Sequence, residues 1–116
     1  MKRLFLVPIA MLLAIASHAE TLITPSFTIR IQVNCAEGNV TCDNVTYVAK
    51  SKKSGKVLSL RGTTLHSKCA DGVTPCRFQG YQFRSGEIQY VVLETGDLIV
   101  THGKKILVQE HGEWQQ

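Results

Sequence analysis

From Glu20 onward, apolar and polar residues alternate with a period of two, and no stretch of useful length carries the helical period. Phe27, Ile29, Ile31 and Val33 interleave with Thr28, Arg30, Gln32 and Asn34, the pattern of a strand with one buried face. Val45, Tyr47 and Ala49 form the next inward set. Residues 56–61 read as a short strand, with Gly62 permitting a bend into a second one over 63–68. Residues 77–83 and 87–93 read as a hairpin across Arg84-Ser85-Gly86, and 97–101 with 105–109 as another across His102-Gly103-Lys104. Both faces of 88–93 and 98–100 are apolar, which predicts centrally placed strands. Residues 20–26 and 111–116 read as loose tails. The prediction is an all-β domain: a small antiparallel barrel or sandwich of about eight short strands, paired in sequence order.

The first residues follow a different rule. Met1-Lys2-Arg3 is basic, Leu4 to Ala16 is apolar, and Ser17-His18-Ala19 places small residues at positions three and one before a cut. That is the layout of a cleaved signal peptide over 1–19, leaving a single β-domain over 20–116. The apolar stretch is shorter than the ~20 residues needed to span a bilayer as a helix, and no membrane span is expected in the mature chain. The short basic start favours a bacterial leader, so the expected location is periplasmic or secreted.

An exported chain meets an oxidising compartment, where four cysteines read as a disulfide framework. Cys35-Ala-Glu-Gly-Asn-Val-Thr-Cys42 and Cys69-Ala-Asp-Gly-Val-Thr-Pro-Cys76 share the form C-A-[DE]-G-x3-C. A tyrosine follows each copy at the same distance, Tyr47 and Tyr81, and Lys53-Ser54-Gly55 is echoed by Arg84-Ser85-Gly86. We read this as a duplicated β unit. Glu37-Gly38 and Asp71-Gly72 are turn dipeptides that let the flanking cysteines face each other. Local bridges are therefore expected first, with a bridge between copies, such as Cys35–Cys76, as the rival. The spacing suits neither a common zinc hook nor a C-x-x-C redox pair.

Length and composition fit one small ordered domain: 116 residues, 44% hydrophobic and 19% charged. The net charge of +4 overstates the basicity of the mature chain, because Lys2 and Arg3 leave with the signal while no acid does. Lys50, Lys52, Lys53, Lys56 and Arg61 nevertheless cluster around one turn, a patch suited to an anionic partner. Basic stripes interleaved with aromatics are absent, which speaks against nucleic acid.

The sequence shows no G-x-S-x-G, no H-E-x-x-H and no glycine-rich phosphate loop, so no enzymatic activity is expected. His66, His102 and His111 are scattered, and no residue set points to a metal or cofactor. Glu94 and Asp97 bracket a turn, where acids are commonplace. Trp114, the only tryptophan, is either a lid on the sheet or an exposed anchor. The expected activity is binding of a protein or cell-envelope component through hairpin turns, with Lys52, Lys53, Ser85, Gly86 and Glu87 as the candidate contacts. The alternative is a periplasmic carrier holding an apolar or lipid ligand in an open barrel or groove. Large residues such as Phe27, Phe78, Tyr81 and Phe83 decide between them, since a filled interior leaves no ligand cavity.

In size, leader, cysteines and β pattern, the chain resembles small bacterial inhibitors of c-type lysozyme. The matching residues are Ser85-Gly86, with Tyr90 following at a spacing one residue longer. The resemblance implies a compact antiparallel barrel that inserts Ser85 and Gly86 into the active-site cleft of the enzyme. Gly96-Asp97-Leu98-Ile99-Val100-Thr101 is similar to the short repeats of periplasmic lipopolysaccharide carriers, which implies the carrier alternative.

Overall fold

The computed structural model describes residues 18–115. The leader expected over 1–19 lies outside them, except for its last two residues. Nine strands follow in order: β1 (His18–Ile23), β2 (Phe27–Val33), β3 (Val45–Ser51), β4 (Val57–Lys68), β5 (Pro75–Ser85), β6 (Ile88–Leu93), β7 (Asp97–His102), β8 (Lys105–His111) and β9 (Glu113–Gln115). They form one antiparallel sheet in the spatial order β8-β7-β6-β5-β4-β3-β2-β1-β9, curled into a nearly closed barrel.

Register follows the period-two pattern, because only one register sends every apolar set to the same side. Ile29 faces Ala49, Ile31 faces Tyr47 and Val33 faces Val45 across β2 and β3. Leu22, Tyr81, Phe83, Val92, Leu98 and Val100 join them in the buried interior. Tyr47 is the hub, its ring centroid 4.9 Å from that of Phe83 and 5.6 Å from that of Tyr90. On β6 and β7 only one face is buried. Val91 and Ile99 oppose each other on the outside and are half-buried, so these strands form barrel wall and not a sandwich centre.

The expected tails are strands. Segments 18–23 and 113–115 carry few apolar residues of their own: the first is held in a ladder with β2, and the second gains one only by pairing with β1 when the barrel closes. β8 and β9 are one strand interrupted at Gly112: the first part pairs with β7, the second with β1. At the switch the Gly112 amide donates to the Gly96 carbonyl at 2.8 Å. A Cβ at position 112 would lie 2.3 Å from the Ile23 carbonyl oxygen, so only glycine lets the two edges meet. Three further contacts seal the seam. The Ser26 amide and hydroxyl donate to Glu110 at 3.1 and 2.5 Å, and the Trp114 indole N–H donates to the Glu94 carbonyl at 2.9 Å. Trp114 is thus packed onto the barrel.

A second correction concerns residues 57–68, which form one strand, β4, with no bend at Gly62. That glycine serves close approach: a Cβ there would fall 2.0 Å from the Gln82 carbonyl oxygen on β5. The irregularity lies further on, where the register against β5 shifts on either side of His66.

Strands that run alternately up and down sort their loops into two ends. Residues 34–44, 69–74 and 94–96 lie at one, here termed the disulfide end. Residues 24–26, 52–56, 86–87 and 103–104 lie at the other, the turn end.

Candidate functional site

The turn end gathers the candidate contacts. Ser85 pairs with Ile88 and His102 with Lys105, so Gly86-Glu87 and Gly103-Lys104 are two-residue hairpin loops. Gly86 and Gly103 have φ of +61° and +64°, and no other residue type has positive φ, which defines type II′ turns with glycine first. The two tips approach each other, with His102 Nε2 3.6 Å from Glu87 Oε2.

The β3–β4 turn is built differently. The Ser51 amide donates to the Lys56 carbonyl and the Gly55 amide to the Ser51 carbonyl, closing a four-residue loop over 52–55. Lys52 is bound into the scaffold: its amide donates to the Ser26 carbonyl at 2.9 Å and its Nζ to the Thr24 carbonyl at 2.7 Å. It therefore braces the β3–β4 turn against the β1–β2 turn. Glu110 joins the same brace. Burial opposes its charge, but the Ser26 and Thr24 hydroxyls, the Ser26 amide and nearby Lys52 hold its carboxyl below the usual range. Lys53 and Lys56 are exposed and make no ion pair among the described residues.

Between these turns the barrel mouth opens into an apolar cleft of about 460 Å³. Phe27, Tyr47, Leu58, Tyr90, Leu98 and Val108 line its depth, and Lys56, Val57 and Leu107 stand at the rim. Of the expected fillers, Tyr81 and Phe83 are buried in the core, Phe78 is only half-buried against Tyr81 and His66, and Phe27 borders the cleft. Burial, and then neighbouring Tyr90, push the Tyr47 phenol well above its ordinary pKa, so it is neutral and behaves as part of the apolar wall. Val57 and Leu107, both at the opening, are exposed by 60% and 45%, large apolar side chains left uncovered at its rim.

Sequence reasoning missed this cleft, although a signal existed. Ile106-Leu107-Val108 is an apolar run, and a strand of period two cannot turn three successive residues inward. The register shift between β7 and β8 at Val100 and Thr101 accommodates the extra residue and leaves Leu107 on the rim.

Charge is divided between the ends. Around the turn-end loops sit Lys52, Lys53, Lys56, Arg84, Lys104 and Lys105, opposed by Glu87 and by Glu110 of the brace. The disulfide-end loops carry Glu37, Asp43, Asp71 and Glu94. At that end both bridges are local, Cys35–Cys42 and Cys69–Cys76, with Cα separations of 5.8 and 5.1 Å. Val40 and Val73 are exposed within these loops. In the second loop Asp71 accepts hydrogen bonds from the Thr74 hydroxyl, the Thr74 amide and the Val73 amide. These bonds pull its pKa down to about 2.

The histidines do not converge. His66 Nε2 lies 3.0 Å from the Thr64 hydroxyl, His102 meets Glu87, and His111 Nδ1 lies 2.9 Å from Asp97 Oδ1. The Thr95 hydroxyl and then His111 lower the Asp97 pKa. Among the described residues no group of three or more His, Cys, Asp or Glu is arranged to hold a metal ion, and no helix is long and apolar enough to cross a membrane. No protein-family model, no curated protein and no solved structure matches the chain.

Proposed function

We propose that the mature chain is an exported, non-enzymatic binding protein that engages a protein or cell-envelope component through its turn end. Two disulfides in a small domain fit an oxidising compartment, and the reading extends this to the periplasm or the secreted space. The observation that carries it is the meeting of Lys53, Ser85-Gly86-Glu87 and Lys104-Lys105, distant in sequence, at one cationic barrel end. Rigid type II′ tips present side chains at low entropic cost, and positive charge speeds encounter with an acidic partner. The resemblance to lysozyme inhibitors makes c-type lysozyme the first protein to test.

The test is capture with oxidised residues 20–116, beside a variant carrying Lys53→Glu and Glu87→Lys. These exposed changes leave the backbone of both turns intact. A stoichiometric partner retained by the parent and released by the variant is the expected result. Equal retention by both would move the site away from the turn end. Unaltered lysozyme activity at saturating protein would remove the inhibitor assignment.

The apolar cleft favours a second reading, a carrier. A volume of 460 Å³ lies within the range of small-molecule sites, and its lining is aromatic and aliphatic.

A further inference from the structure

We infer that the turn-end cleft receives a single acyl chain whose anionic head, carboxylate or phosphate, rests among the rim lysines. The inference rests on the carrier reading and names its ligand. Two observations at one place carry it. The cleft walls are apolar from Phe27 through Tyr90 to Val108, and the neutral Tyr47 phenol adds no charge to them. A chain entering there is transferred from water into hydrocarbon-like surroundings, a gain of about 0.8 kcal/mol per methylene.

The rim decides the head group. Lys56 borders the opening and is free of ion pairs among the described residues, and Lys53, Lys104 and Lys105 occupy the adjoining turns. Nearby acids are engaged elsewhere: Glu87 faces His102, and Glu110 is held by Ser26 and Lys52. A cationic head would meet this surplus of like charge, whereas an anionic one meets Lys56 at the rim, with Lys53, Lys104 and Lys105 in the adjoining turns. Exposed Val57 and Leu107 then cover the part of the chain nearest the head. A bulky two-chain lipid would need far more apolar lining than one mouth of this barrel offers.

The experiment is calorimetric titration of oxidised residues 20–116 with monomeric decanoate, decyl phosphate, decanol and decyltrimethylammonium, together with octyl and dodecyl phosphate. Methyl NMR shifts are followed in parallel. The expected result is saturable one-to-one binding that strengthens by about fourfold per methylene. Both anions should outrank the cation, and Lys56→Glu should weaken the anions by roughly fivefold while leaving decanol unchanged. Shifts should appear at Leu58, Val100 and Val108 but not at Val40 or Val73 on the far end. Tight binding of all heads alike would overturn the head-group assignment yet keep the carrier reading. No binding by any chain, or shifts spread equally over Val40 and Val73, would overturn both. If decanoate binds and decyl phosphate does not, the head is a carboxylate and a fatty acid is the source; the reverse points to a phosphate-bearing single-chain lipid.

Discussion

Asp71 organises one disulfide loop with a single carboxylate. Three hydrogen bonds converge on it from Thr74 and Val73, and the ionised form is the one that accepts them all. Its folded pKa, about 2, is below the ordinary 3.8. The stability it contributes is therefore fully present above pH 3.8 and is lost as pH falls through about 2. A carboxyl NMR titration should place its midpoint near 2, with amide exchange at Val73 and Thr74 rising on the acid side. A midpoint at the ordinary value would show that the loop is not organised this way. Lys52 makes the complementary point. Its sequence neighbours suggest a contact residue, whereas its ammonium is spent on the Thr24 carbonyl, so Lys52→Ala should loosen the β3–β4 turn before it weakens any partner. Limited proteolysis at residues 52–56, compared with Lys53→Ala as a control, would detect this.

At the scale of strands, closure depends on one position. Gly112→Ala drives a methyl group into the Ile23 carbonyl and the Thr24 side chain, and parting β9 from β1 is the only relief. The expected cost is about 1–3 kcal/mol, read from the denaturant midpoint, with faster amide exchange confined first to 18–23 and 113–115. A variant as stable as the parent would mean that β9 contributes nothing to the barrel. The same feature explains what the sequence could and could not reveal. Strands β2, β3, β6 and β7 were legible because Ile29 and Ile31, Val45 and Tyr47, or Leu98 and Val100 mark a buried face at period two. β1 and β9 were not, since they carry no alternating apolar set: β1 is ordered by its ladder with β2, and β9 by a partner some ninety residues away in sequence. The turns at Gly86 and Gly103 were readable from local chemistry. The cleft was signalled only by the Ile106-Leu107-Val108 run, because its walls come together from β2, β3, β4, β6, β7 and β8 around the barrel mouth, a relation no local pattern encodes.

For the molecule as a whole, the two bridges are alike in spacing but unlike in setting. Each closes a loop of eight residues, for which chain entropy gives roughly 2.5 kcal/mol. Cys42 is also part of the buried core, while Cys76 is exposed. Replacing Cys35 and Cys42 with serine should therefore lower the denaturation midpoint more than replacing Cys69 and Cys76. Equal losses would mean that the loop entropy alone matters. The repeat is thus one device used twice at the same end of the barrel, with only the first copy serving as a core element.

β1 enters the barrel at the disulfide end and runs toward the turn end, while β9, antiparallel to it, heads back the way β1 came. Chain ends on both sides of the domain therefore leave through the same pole, opposite the lysine-rimmed mouth. Anything joined to either terminus, such as a surface-coupling tag or a fused reporter, becomes a stalk at the back of the molecule. In each case the mouth looks outward and stays unobstructed, so tethering fixes the orientation of the protein without covering its cleft.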